Sequence, residues 1–498
     1  MAIPNLQNHH TMSRNNQLKS IIFFLSVSLI VSCTSELENQ TIISSGHEQI
    51  GNDWTLRNTD VSDNNVVLDR EDALVISKFT VRNFDLKIRV KTTPGAEGSL
   101  AFHTSGADGA SPEGYSIFIN NSEYHSGSTQ KTGSLSQIRN FFVRMVNDDE
   151  WFDLGLNVRG NHITVMVNGK ITGEYYEPEN PLRLAGLQDM VLSGGHIILS
   201  KSGNAGNIVV SDISIEGLPG DIPKKLDNYE TANEIAEQLT LLNQEGFPVI
   251  DYHGHLKDVL SVEEITQHGR NHGFNYGISE NCGLNFPVTD DASLNAYYEK
   301  IKDEPVFSAM QCEGREWVTL FSPESIAQYD YIFTDALTFT DHKGRRMRLW
   351  IEEEVFVEDE EQFMDMLVEK ILAILSQEPV DIYVNPTFLP EEINHNYDRL
   401  WTNERMDAVI DALVQYDIAL EINARYEIPG IDFIKRARAA GVTFALGTNN
   451  AGEHDLGRLE YSIRAIREAG ITPEEMFVPR PEGSKKVSSM GLPDEITG

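Results

Sequence analysis

Two histidines one residue apart, His253 and His255 in Asp251-Tyr252-His253-Gly254-His255, are the first side chains in this sequence with a readable chemistry. Side chains two apart on an extended strand point to the same side, so both imidazoles converge on one spot, which is metal-ligand geometry. Core packing is the plainer reading of such a pair. His268 and His272 lie one helical turn apart, but in an Arg- and Asn-rich helix end where capping or solvated histidines are expected. Arg345, Arg346 and Arg348 form a basic cluster beside Asp341 and His342, expected on a surface hairpin.

The elements around His253 and His255 must hold them. Short apolar runs at 249–252, 276–279, 306–313, 329–333, 382–385, 418–423 and 443–447 alternate with helical stretches such as 361–375, 404–414 and 456–469. Seven strands, each followed by a helix or a long connection, predict a distorted (β/α)7 barrel related to the TIM barrel. Function in such barrels gathers at the C-terminal strand ends, where the two histidines fall.

Before residue 217 the period is two. Phe84, Leu86, Ile88 and Val90 share one face of 84–90, and similar segments recur at 98–103, 115–119, 152–158, 162–167, 196–199 and 208–215. Asn168-Gly169 supplies a hairpin turn. An all-β jelly-roll sandwich over 46–216 follows. Tyr115, His125, Trp151 and His196 admit a sugar-site reading, because aromatic faces and polar groups suit a carbohydrate's mixed surface; core packing is the alternative. Gly217, Pro219, Gly220 and Pro223 mark a boundary, so a linker with a helix is expected at 217–246, the barrel at 247–481 and a tail at 482–498.

The 498 residues carry 40 Lys plus Arg against 76 Asp plus Glu, a net charge of −36, which disfavours nucleic acid as a partner. Their length predicts two or three domains with separate cores. Three cysteines, Cys33, Cys282 and Cys312, allow one disulfide at most. Arg14 and Lys19 precede an apolar run at 21–31 that ends in Ser32-Cys33, a secretory signal too short to span a bilayer. Leu29-Ile30-Val31-Ser32-Cys33 resembles a bacterial lipobox, which implies a lipoprotein signal over 1–33 whose Cys33 is acylated and becomes the mature N-terminus, a lipid anchor at the cell envelope, outside the cytoplasm. Residues 34–45 then read as a polar tether. Oligomeric state is not legible.

Two family resemblances add to this. The order of the sandwich signals, from Phe84-Asp85-Leu86 through Gly114-Tyr115, Thr132-Gly133 and Asn161-His162-Ile163 to the strand at 209–215, resembles the 3-keto-disaccharide hydrolase domain, a concanavalin-like jelly roll. Its Glu-x-Gln and Asp positions are replaced here by Ser116-Ile117-Phe118-Ile119-Asn120-Asn121. The barrel, through His253, His255, Met310-Gln311-Cys312-Glu313, Leu420-Glu421-Ile422-Asn423 and Ala445-Leu446-Gly447-Thr448-Asn449-Asn450, resembles the polymerase and histidinol phosphatase (PHP) superfamily of metal-dependent phosphoesterases.

Carried across, the PHP ligands leave His253, His255, Glu313 and Asp335, while other ligand positions hold Asn281, Asn385 and Asn449-Asn450. That set implies one zinc, iron or manganese rather than three metals. The competing reading is a mouth of Asn281, Asn385, Glu421, Asn423, Asn449 and Asn450 that binds a neutral ligand without metal. The expected function is a membrane-anchored hydrolase acting on carbohydrate, of the oxidised or 3-keto glycoside class. The alternatives are a non-catalytic carbohydrate-binding lipoprotein and, third, a metal-dependent phosphoesterase.

Overall fold

The computed structural model describes residues 36–105, 113–122, 129–220, 234–257, 260–481 and 483–493. The signal segment with Cys33, and His125, lie outside the described residues.

Among the described residues thirteen strands precede residue 218: β1 (Thr41–Ser45), β2 (Trp54–Arg57), β3 (Asp60–Ser62), β4 (Asn65–Leu68), β5 (Leu74–Ser77), β6 (Phe84–Thr92), β7 (Glu97–Thr104), β8 (Tyr115–Ile119), β9 (Trp151–Arg159), β10 (His162–Val167), β11 (Lys170–Tyr176), β12 (His196–Ser202) and β13 (Ile208–Gly217). One sheet runs β11-β10-β9-β6-β13-β4-β3 with β1 added on β13; the other runs β2-β5-β12-β7-β8. In β6 the alternation is strict: Phe84, Leu86, Ile88 and Val90 are buried between the sheets while Asp85, Lys87 and Arg89 face out. Asn168 and Gly169 both adopt positive φ, as the tight β10–β11 turn requires. This is the expected jelly-roll sandwich.

The stretch read as a tether needs correction. Thr41–Ser45 is a strand paired antiparallel with β13, and Leu37 is buried against the sandwich, because an open edge and an apolar seat were available to it.

Seven strands form a closed parallel barrel in the order β14 (Ile250–His255), β15 (Asn275–Gly283), β16 (Phe307–Glu313), β17 (Tyr331–Thr334), β20 (Ile382–Tyr383), β21 (Ala419–Asn423) and β22 (Phe444–Gly447). Helices pack outside it, among them Val262–His272 after β14, Asp291–Ile301 after β15 and Glu360–Gln377 before β20. A two-stranded hairpin, β18 (Thr338–Thr340) and β19 (Arg346–Arg348), follows β17. Ser261 caps the Val262–His272 helix with a capping box, and Gly273 ends it in the left-handed region. The expected tail is partly packed: Val487 is buried in the barrel's outer core, and Lys486 donates to the Val380 and Tyr416 carbonyls.

Separate cores were expected, yet one apolar cluster is shared. Phe141, Phe142 and Val143, from the loop between β8 and β9, pack with Ile250, Tyr252, Phe307, Tyr331 and Phe477 inside the barrel. The sandwich thus closes the barrel floor. Polar groups fix the same seam: Arg139 donates to the Arg270 and Asn271 carbonyls, Asn140 donates through its backbone N–H and its Nδ2 to Asn243, and Asn275 donates to the Asn140 carbonyl. Burial of three apolar side chains against a foreign core ties the two folds into one compact unit, residues 35–498.

Phe142→Ala should therefore destabilise barrel and sandwich together. The expected loss is about 3–5 kcal/mol, in one cooperative transition followed by denaturant titration. A sandwich that melts unchanged while the barrel loosens would contradict the shared floor.

Candidate functional site

The site is the open end of the barrel, where strands β14 to β22 finish. β14 carries a bulge: Asp251 pairs with Tyr276 but Gly254 pairs with Ile278, so one extra residue is accommodated. With it, Tyr252 joins the interior aromatic cluster, and His253 also reaches inward, its ring 4.8 Å from Phe333 and 5.1 Å from His255. Asp251 holds this turn of chain by accepting from the His253 and Thr448 backbone N–H groups.

His253 Nδ1 lies 2.6 Å from Glu421 Oε1, and its Nε2 is buried without a partner. A carboxylate on Nδ1 favours the tautomer with a lone pair on Nε2. Gly447 makes the pair possible, since a Cβ there would sit 2.1 Å from Glu421 Oε1 and 2.9 Å from the His253 Cβ. His255 Nδ1 is 3.2 Å from the Ser279 carbonyl. Burial, helped by His253, Lys257 and Arg425, pushes the His255 pKa well down and keeps it neutral.

Glu313 and Asp335 face the same mouth. Glu313 Oε1 accepts from Asn281 Nδ2 at 2.7 Å and Gln311 Nε2 at 3.0 Å, and its Oε2 from Thr338 Oγ1 at 3.3 Å. Asp335 accepts from Asn385 Nδ2 at 2.9 Å and the Leu337 N–H at 2.9 Å. Burial, then the charge of Asp335, raises the Glu313 pKa to about 8; burial raises Asp335 as well. Glu313 is thereby a carboxylic acid at neutral pH.

The asparagines divide by role. Asn385 and Asn423 link Asp335 to Glu421, and Asn449 donates to Asn385 Oδ1 at 3.2 Å. Asn450 instead staples backbone, exchanging hydrogen bonds with the N–H and C=O of His255. Two imidazoles with Nδ1 on acceptors offer Nε2 to a cation, whereas Glu313 and Asp335 point their oxygens at amide and hydroxyl donors. Among the described residues no group of three or more His, Cys, Asp or Glu is gathered closely enough to hold a metal ion. The arrangement shown fits two imidazole ligands, and not the carboxylates beside them.

In the sandwich, Tyr115, Trp151 and His196 form no common network among the described residues. Tyr115 is buried, its ring stacked on Phe102 and its hydroxyl donating to Glu177 and accepting from Arg183. His196 bonds the Ser77 carbonyl, and Trp151 lies at the start of β9 under Lys91. Glu177 and Arg183 escaped the sequence reading, since nothing in their spacing marks them. Gln311 was within reach of it, being two residues before Glu313 on one strand face. His268 and His272 stack on each other beside Phe274, and Arg345, Arg346 and Arg348 pair with Asp341, Glu316 and Glu354 on the expected hairpin. Cys282 and Cys312 are free and buried.

Residues 39–216 match the family model of the 3-keto-alpha-glucoside-1,2-lyase-like domain, which gives the sandwich a carbohydrate-related character. No curated protein matches the chain. Among solved structures, a Parabacteroides distasonis protein whose name places it among the glycosyl hydrolases is similar at 17% identity and TM-score 0.32, covering 36% of this chain and 100% of that one. The carbohydrate-binding module CBM66 of Bacillus subtilis is similar at 13% identity and TM-score 0.24, covering 32% of this chain and 94% of its own.

The raised Glu313 pKa sets a pH dependence. An unfolded glutamate keeps the ordinary value of 4.5, so between 4.5 and about 8 the folded chain holds a proton that the unfolded chain has lost. Stability contributed by Glu313 therefore falls as pH rises through that window. In buffer with a chelator, Glu313→Gln should gain stability relative to the unsubstituted protein as pH rises from about 5 to 8. Parallel stability curves would show that Glu313 is ionised in the fold.

Proposed function

We propose that this protein is a carbohydrate-directed enzyme that breaks a glycosidic bond by proton transfer at the barrel mouth, with ring-carbonyl (keto) glycosides as its substrate class. The observation that carries the reading is a barrel end that holds both a buried carboxyl whose pKa is raised to about 8, Glu313, and an imidazole, His253, whose lone pair is set by Glu421. Acid and base with environments that push their protonation apart are what bond cleavage with a poor leaving group needs.

In hydrolysis His253 Nε2 takes a proton from a water whose oxygen bonds to C1; in elimination it takes the C2 proton, next to the ring carbonyl, and the electron pair of that C–H bond forms the C1=C2 double bond. Glu313 gives its proton to the departing glycosidic oxygen as the C1–O bond breaks. The amides of Asn281, Asn385, Asn423 and Asn449 supply neutral donors and acceptors for hydroxyl groups. The matched sandwich supports carbohydrate as the ligand class. A divalent metal on His253 and His255 would occupy the Nε2 lone pair and take over the base's task by lowering the pKa of a bound water, so elemental analysis of the purified protein decides between the two forms.

The test is a product screen with keto-glycosides, ordinary glycosides and sugar phosphates, with and without divalent metal. Turnover should be confined to glycosides, and Glu313→Gln and His253→Ala should each lower it by roughly 10²–10⁴-fold. Metal-dependent turnover of phosphoesters without any response to glycosides would restore the phosphoesterase reading. Binding without turnover would favour the carbohydrate-binding one.

The anchor is part of the proposal and rests on the sequence motif alone. Cys33→Ser should move the protein from the detergent phase to the aqueous phase, because a multiply acylated cysteine holds a membrane firmly. Unchanged partitioning would remove the lipid.

A further inference from the structure

The rim of the mouth carries two cations without acidic partners. Lys257, just past β14, places Nζ 3.3 Å from Asn281 Oδ1, and Arg425, just past β21, donates through Nη1 to the Asn449 carbonyl at 3.0 Å. Among the described residues neither forms an ion pair. Carboxylates are abundant in this chain, and nearby arginines find them: Arg464 pairs with Glu427, Arg346 with Glu316 and Arg315 with Glu378. Two cations left on amides and carbonyls, at the strand ends that bear Glu313 and His253, are positioned for an anion from outside.

An aromatic platform continues the same arc. Tyr426 is 37% exposed, its ring edge-on to Phe388 at 5.1 Å and covered by the Arg425 guanidinium at 5.4 Å. The Tyr426 N–H donates to Asn423 Oδ1 at 3.0 Å, which ties the rim loop to the amides of the mouth. In barrel order Phe388 follows β20, Tyr426 and Arg425 follow β21, Asn449 follows β22, and Lys257 follows β14. The rim thus carries Tyr426, one ring face of it under Arg425, and two cations, Arg425 and Lys257, that both act on the buried His255, with hydrogen-bonding amides beneath.

We infer that this rim selects a sugar that bears a carboxylate, its ring face on Tyr426 and its carboxylate between Arg425 and Lys257. A planar carboxylate suits the fork of an arginine, and a pyranose C–H face suits an aromatic ring. One negative charge is matched by the two cations. A phosphate dianion would bring a second charge toward Asp335 and Glu421. The inference rests on the proposed reading for what happens to the sugar, but the selection itself is a matter of binding.

The experiment uses the full chain and calorimetric titration, supported by thermal shift. The probes are methyl glucuronide and methyl galacturonide, the matching neutral methyl glycosides, and glucose 6-phosphate. Each uronide should bind about tenfold more tightly than its neutral partner, two exposed ion pairs contributing modestly each. That preference should shrink with added salt and vanish in the Lys257→Gln, Arg425→Gln double variant, whose fold is checked by circular dichroism, while the neutral glycosides bind it as before. Tyr426→Ala should weaken uronide and neutral sugar alike. Equal binding of uronide and neutral glycoside, a preference that survives the double variant, or tighter binding of the sugar phosphate would each overturn the inference. Glu313→Gln separates it from the proposed reaction: uronide binding with normal turnover in that variant sinks the reaction and leaves the rim, whereas turnover of neutral keto-glycosides without uronide preference does the reverse.

Discussion

Burying carboxylates at the end of an apolar barrel is the constraint from which the upper half of this molecule follows. Asp251, Glu313, Asp335 and Glu421 are all buried, and a carboxylate without water must be protonated, paired or saturated with donors. Each solution occurs once or more. Asp251 takes backbone N–H groups and Thr448, Glu421 takes His253 with two amide donors, Asp335 takes Asn385 and a backbone N–H, and Glu313 keeps a proton. Asn281, Asn385 and Asn423 are, in this light, the partners that allow the carboxylates to stay buried. Replacing one amide would leave an acceptor unsatisfied and shift its carboxylate further toward the protonated form.

The lower half answers a different constraint, since an apolar barrel interior must be closed against water at its floor. Here the loop at 141–143 does it, with the Phe477 ring from the other end of the chain. Tyr252 and Tyr331 sit directly above, and their hydroxyls donate to the Phe477 and Tyr252 carbonyls, so no polar group is stranded among the rings. Because β14 runs from this floor to the histidines, the sandwich stands three residues away from the chemistry: Ile250 touches its loop and His253 faces Glu421.

Much of this was legible in sequence because the signals were periodic. All seven barrel strands fall where apolar runs alternate with helical stretches, and the central sandwich strands fall where the period is two. β3 was hidden because all three of its residues are exposed, and β1 because its polar sequence resembles a linker. The inward turn of both imidazoles followed from their spacing, but the bulge that brings Tyr252 inward beside His253 did not, since a bulge is set by the register of the neighbouring strand. The role of Asn450 was misplaced for a similar reason: a strand-end asparagine can face the mouth or the backbone, and composition does not say which.

Lys257, Arg425 and Tyr426 were invisible as a group for a further reason. Exposed cations in a sequence look solvated, and these become distinctive only once the structure shows that, among the described residues, neither Lys257 nor Arg425 forms an ion pair. Net charge is a poor guide at this point. The chain stands at −36, yet solvent-exposed charges beyond about 8 Å are largely screened at physiological ionic strength, so an approaching ligand responds mainly to the rim it meets. Below that rim Glu313 holds a proton, which removes one negative charge that a count of carboxylates would suggest, while Glu421 accepts from His253 Nδ1. A strongly acidic protein can therefore present an opening whose nearest ionised groups are cationic, and the overall charge that argues against nucleic acid does not argue against a single carboxylate at the mouth.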